Sequence, residues 1–190
     1  MTKQELRKLY LEKRLSLSEA EYNQQSEALC KIFFETIDLS SINVLHIFLP
    51  ITKKREPNTF LIIERIQKEF PSIKISVPKI NSGTDTLESY YLNSLHELKL
   101  TSWEIPEPPS INPTPSSVID AVLVPLLVFD ETGHRLGYGK GFYDKFLLTC
   151  KSSCKKIGLS LLPPIDKIST IEDHDQKLDL VVTPSKTFYF

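Results

Sequence analysis

The chain has 190 residues, 41% hydrophobic and 25% charged, with a formal net charge of -1 and three cysteines. At that length about 70% of the unfolded surface can be buried, so one domain over residues 1–190 with a sizeable core is expected. A near-zero charge without a run of like sign argues against a nucleic-acid or membrane surface as the main partner, and no apolar stretch approaches the ~20 residues that span a bilayer, which leaves a small molecule.

Thr2 to Leu15 carries Leu6, Leu9, Tyr10 and Lys13 at helical spacing, which predicts a helix with one apolar and one basic face. Lys3 and Arg7, four residues apart, project from one side of it, either as a solvated basic face or as ligand contacts. This N-terminus is charged where a signal peptide would be apolar, so a cytoplasmic location is expected. Ser18 and Glu21 form the pattern of a capping box, opening a second helix that runs to about Ile37. Cys30, Cys150 and Cys154 are an odd number in a chain too large to need stapling, and they read as reduced thiols rather than as disulfides or zinc ligands. Val44 to Leu49 reads as a buried strand ended by Pro50, with His46 a satisfied core histidine. A polar loop then leads to a helix starting near Pro57. Glu56 falls between strand and helix, where an open α/β sheet meets its ligand and where an ordinary helix-start acid would also sit.

Ile73 to Val77 is a second strand closed by Pro78, and after a turn at Ser82 and Gly83 the alternation of Thr86 to Leu92 predicts a less buried one. Five prolines between Pro106 and Pro115 mark an extended crossing loop, preceded by Trp103, the lone tryptophan, as a core plug or the wall of a binding site. Ala121 to Phe129 supplies the central strand. The run RLGYGKGFYD, Arg135 to Asp144, follows, and then a helix over Phe142 to Leu148. Its three glycines allow positive φ and inward-turned amides, Lys140 adds a mobile charge, and a helix N-terminus comes next, which together make an anion site. A flexible surface turn is the plainer alternative. Lys156 to Leu161 and Leu178 to Thr183 are the last strands, with the acidic stretch Ile171 to Asp179 between them and His174 a neighbour of its acids. Strands alternating with helices predict a mostly parallel sheet.

The run VPLLVFDETGHRLGYGKGFYD, Val124 to Asp144, resembles the signature of the 5-formyltetrahydrofolate cyclo-ligase (methenyltetrahydrofolate synthetase) family, and the likeness extends from Lys3 to Asp179. It is carried also by K-x-x-L-R at Lys3, Leu6 and Arg7, by E-x-x-T at Glu56 and Thr59, by T-S-W-x-I-P around Trp103, and by Asp175, Lys177, Leu178 and Asp179. Phe142 departs from it, standing where the family more often has tyrosine. The resemblance implies an α/β fold, a single domain with a mostly parallel Rossmann-like sheet flanked by helices, and cyclisation of 5-formyltetrahydrofolate to 5,10-methenyltetrahydrofolate with ATP cleavage. By it, Lys3, Arg7, Arg135, Leu136, Gly137, Tyr138, Gly139, Lys140, Gly141, Phe142 and Tyr143 would meet ATP. Leu49, Glu56, Trp103, Tyr138, Gly139, Lys140, Gly141 and Phe142 would meet the folate. Asp144 and Asp175 would hold Mg²⁺, and Lys140 and Arg135 would be catalytic. A monomer is the expected state.

Rival readings fit less well. A dinucleotide fingerprint would need a glycine where Phe142 stands and a ribose acid ~20 residues on, where Leu161 to Pro164 lie. A Walker loop would need G-K-[ST], which does not occur. A non-catalytic folate or nucleotide sensor of the same fold remains the alternative from a different class.

Overall fold

The computed structural model describes residues 1–101, 106–169 and 171–190. In chain order the elements are α1 (Lys3–Leu15), α2 (Glu19–Thr36), β1 (Val44–His46), α3 (Phe60–Glu69), β2 (Lys74–Asn81), β3 (Thr86–Leu92), β4 (Lys99–Leu100), β5 (Pro106–Glu107), β6 (Ala121–Pro125), β7 (Val128–Phe129), β8 (Arg135–Leu136), α4 (Phe142–Thr149), β9 (Lys155–Leu159), β10 (Leu180–Val182) and β11 (Thr187–Tyr189). Both α1 and α2 open with a full capping box, Thr2 with Glu5 and Ser18 with Glu21. Each box satisfies two backbone donors that the first turn leaves free.

Seven strands form one sheet in the order β11-β10-β9-β6-β1-β2-β3. The inner pairs are parallel, and only β3 and β11 run antiparallel, one at each edge. From β1 the chain steps through α3 to β2 on one side, whereas from β6 it steps through α4 to β9 on the other. Right-handed crossovers in opposite directions put their helices on opposite faces. Accordingly α2 and α3 cover a core containing Leu45, Ile47, Leu123 and Ile157, while α4 covers Val44, Val122, Val124 and Val181. Burial on both faces is why these strands read as continuous apolar runs. A third, smaller cluster seats Leu6 and Tyr10 of α1 on the β7–β8 hairpin, against Leu127, Val128 and Leu136.

The structure corrects several element boundaries. The predicted strand Ala121 to Phe129 breaks after Pro125, and its end pairs back on itself, Val128 with Leu136 and Phe129 with Arg135. Buried Asp130 holds the tip of this hairpin by accepting from the Thr132 and His134 amides, the Thr132 hydroxyl and the Ile168 amide. Pro78 does not close β2, which pairs with β3 as far as Asn81. It ends only the ladder with β1: Lys74 and Ser76 bond to that side, and the next nitrogen in the series, that of Pro78, has no proton to give. The third helix starts at Phe60 rather than near Pro57, because the Thr59 hydroxyl donates to the Phe48 carbonyl at 2.6 Å and fixes the entry there. The edge strand β11 was not predicted.

His46 is only half satisfied. It is fully buried, with Nδ1 3.2 Å from Ser76 Oγ, its ring against Phe146, and Nε2 without a partner among the described residues. Burial pushes its pKa down to about 3. The folded state therefore keeps His46 neutral while the unfolded chain takes up a proton near pH 6.5, so the stability it contributes is complete above that pH and is lost as pH falls toward 3. Urea unfolding from about pH 6.5 to about pH 5, above the usual carboxylate range, should show stability falling by up to about 1.4 kcal/mol per unit. His46→Leu should remove most of that slope; a variant with the wild-type slope would assign it to other groups.

Candidate active site

Where the chain steps from β1 one way and from β6 the other, the crevice beyond the strand ends is open, the usual ligand position in such sheets. A cleft of about 510 Å³ lies there. Phe48, Leu49 and Pro125 line it together with Arg135 to Lys145, Lys3 and Arg7 of α1, the acidic loop residues Glu172, His174 and Asp175, and Pro78 to Ile80 with Leu87 of the β2–β3 hairpin. Every described residue that the sequence assigned to a site lines this one cleft. Trp103 lies outside the described residues.

The glycine wall works through two of its three glycines. Gly139 has φ +90 and Gly141 φ +66, and a Cβ on Gly139 would sit 3.2 Å from the Arg7 guanidinium carbon. Gly137 has no such need: its φ is not positive and a Cβ there would meet nothing within 4 Å. Arg7 Nε donates to the Gly137 carbonyl at 3.0 Å, which ties α1 to the loop. Gly141 caps α4 without any side-chain bond, so the amides of its first turn remain available to an anion. Lys140 is exposed on this loop and, among the described residues, makes no hydrogen bond or ion pair. Tyr143, half-buried at the start of α4, has a buried hydroxyl without a partner among the described residues.

The acids of the cleft are already engaged. Asp144 Oδ1 accepts from Arg135 Nη2 at 2.9 Å and from the Gln176 amide at 3.0 Å. Arg135 also donates to the Gln176 carbonyl, so two donors of its buried guanidinium hold Asp144 and the acidic loop. Asp175 Oδ2 accepts from Lys3 Nζ and the Glu172 amide, both at 2.9 Å, and Lys3 reaches Glu172 Oε1 at 2.9 Å as well. Burial alone would raise the Asp175 pKa, but the Glu172 amide and Lys3 hold it below the ordinary carboxylate value. No cluster of three or more metal-type side chains occurs among the described residues. Asp144 and Asp175 each keep one oxygen without a hydrogen bond among the described residues, a donor set that fits a hard dication also bound by phosphate.

Against Tyr138 of the glycine wall sits a group that the sequence reading only half found. Glu56 is 3% exposed; its Oε2 accepts from the Ile51 amide at 2.7 Å and its Oε1 from the Tyr138 hydroxyl at 2.8 Å. Arg14, also 3% exposed, donates to that same hydroxyl. Lys54 Nζ lies 4.1 Å from the centre of the Tyr138 ring and lines the cleft. Neither Arg14 nor Lys54 was predicted. A signal for Arg14 did exist: it continues the four-residue spacing of the two buried residues Leu6 and Tyr10, and so lies on the inward face of α1.

Comparison with known proteins converges on one description. The model of the 5-formyltetrahydrofolate cyclo-ligase family matches residues 1–184. The chain is 29% identical to a probable 5-formyltetrahydrofolate cyclo-ligase of Schizosaccharomyces pombe across 86% of each chain. It is likewise 29% identical to the 5-formyltetrahydrofolate cyclo-ligase of Mus musculus across 95% of this chain and 88% of that one. The NMR structure of Aquifex aeolicus 5,10-methenyltetrahydrofolate synthetase matches with a TM-score of 0.83 at 27% identity, covering 100% of this chain and 93% of the other.

Proposed function

The chain belongs to the 5-formyltetrahydrofolate cyclo-ligase family, and from that premise we propose that it joins ATP cleavage to ring closure, converting 5-formyltetrahydrofolate and ATP to 5,10-methenyltetrahydrofolate, ADP and phosphate. The observation that carries this reading is the pairing, across one cleft, of an anion-binding wall with a buried acid, Glu56. An amide oxygen leaves poorly and the attacking nitrogen is weakly nucleophilic. Transfer of the γ-phosphoryl group to the formyl oxygen turns it into a phosphate leaving group. Little covalent work falls to the protein, which must hold two substrates in line and meet charge on the phosphoryl oxygens.

In this reading the first-turn amides of α4, Arg7 and Lys140 take the phosphates. Glu56 and Tyr138 orient the folate, with Leu49 beneath it. Arg135, with one donor on Asp144 and one on the Gln176 carbonyl, positions Asp144 at the edge of the phosphate site. Mg²⁺, held by Asp144 and Asp175, would neutralise phosphate charge when bound. Lys3, paired with Asp175, keeps that carboxylate ionised and oriented.

The direct test supplies purified protein with 5-formyltetrahydrofolate, ATP and Mg²⁺ and follows the absorbance of the methenyl product, with one ADP expected per product. Folate or nucleotide binding without turnover would instead assign a sensor. Asp144→Asn should raise the Mg²⁺ concentration needed for half-maximal turnover by about tenfold or more, since a neutral amide is a poor partner for a hard cation. Unchanged turnover at limiting Mg²⁺ would remove Asp144 from the metal site.

A further inference from the structure

Arg14 carries a buried charge with no carboxylate directly against it among the described residues. Its Nε donates to the Lys54 carbonyl at 2.7 Å, its Nη1 to the Leu126 carbonyl at 3.1 Å, and its Nη2 to the Tyr138 hydroxyl. Guanidinium can only donate, so the phenol accepts from Arg14 and turns its own proton to Glu56 Oε1. The other oxygen of Glu56 faces the Ile51 amide. Both carboxyl oxygens thus accept from a donor, and protonating Glu56 would weaken the bond that the protonated oxygen accepts. Each oxygen of the carboxylate keeps a further lone pair, and Glu56 lines the cleft.

We propose that Arg14 is a positioning residue for the reaction: through the Tyr138 hydroxyl it holds Glu56 as an oriented carboxylate, ready to accept hydrogen bonds from the ring N–H donors of the folate. The folate end of the proposal rests on the reading given above. Burial is the largest influence on Glu56 and leaves its pKa raised even against the Ile51 amide, Arg14, Tyr138 and Lys54, so loss of Arg14 would move it further toward the neutral acid. The other groups facing Glu56 do not replace Arg14. Tyr22 on α2 donates to the Glu56 backbone carbonyl, Arg55 in the same loop packs over the Tyr22 ring, and Tyr143 on α4 is a neutral phenol whose pKa burial and Glu56 raise.

The test follows the ionisation of Glu56 in the unliganded protein by NMR with ¹³C-carboxyl glutamate, Glu56→Gln identifying its resonance. Arg14→Met keeps an apolar stem of similar length and removes the charge. Its Glu56 midpoint should rise by about one to three pH units above wild type, and Tyr138→Phe should raise it by less. The Michaelis constant of Arg14→Met for the folate should be elevated near neutrality and should recover as pH passes the new midpoint, with that for ATP unchanged. A merely structural arginine would give a pH profile parallel to wild type. Wild-type midpoints in both variants would overturn the proposal, and if Arg14→Met does not fold, a wild-type midpoint in Tyr138→Phe does so alone. A normal folate Michaelis constant in Glu56→Gln would instead remove the folate from Glu56, leaving the NMR titration to judge Arg14.

Discussion

Replacing Lys140 by alanine is expected to lower turnover about a hundredfold while changing the Michaelis constant for ATP much less. The residue stands exposed on the glycine loop, lines the cleft, and has no ion-pair partner among the described residues, so its charge is not spent on the fold. If its ammonium meets the γ-phosphoryl oxygens as charge moves toward the formyl oxygen, its contribution is larger in the transition state than in bound ATP. Removing one such contact typically costs about 3 kcal/mol. The measurement is product absorbance at saturating ATP, with wild type and variant melting alike. Near-normal turnover would take Lys140 out of the chemistry, whereas no ATP-dependent product from the wild type would end the cyclo-ligase reading itself.

Glu56→Gln is expected to raise the Michaelis constant for the folate by roughly tenfold to a hundredfold, the scale of a hydrogen bond to a charged group worth about 1.5–3 kcal/mol, and to leave that for ATP nearly unchanged. The amide has one acceptor where the carboxylate has two. With its oxygen on the Ile51 amide, its NH₂ faces the Tyr138 hydroxyl and competes with Arg14 for the same lone pairs. Some stability should be lost as well, so the comparison is made well below the melting temperature of both proteins. Equal losses of affinity for folate and nucleotide would count against a folate-specific role.

What the sequence determined by itself is what neighbouring residues decide. The capping box at Ser18, the apolar runs of β1, β6, β9 and β10, and the glycine loop feeding α4 all rest on interactions within a few residues, and each is present. The K-x-x-L-R, E-x-x-T and glycine-loop motifs named the cleft residues because short patterns keep the residue types a site needs. Boundaries slipped where the controlling partner was distant: the Phe48 carbonyl resets the start of α3, and Leu136 folds the end of the central apolar run into a hairpin. Roles depended on distance still more. Tyr138 meets Glu56 across 82 positions and Arg14 across 124, and Lys3 meets Asp175 across 172. These contacts exist because the strand order reverses between the parallel neighbours β1 and β6 and brings the loop after one strand against the loop after the other, with α1 laid across both. No periodicity along the chain records which donor will face which acceptor there. Only the closed tertiary structure could set Arg135 against Asp144, and bring Arg14 from an inward helix face to the hydroxyl that Glu56 shares.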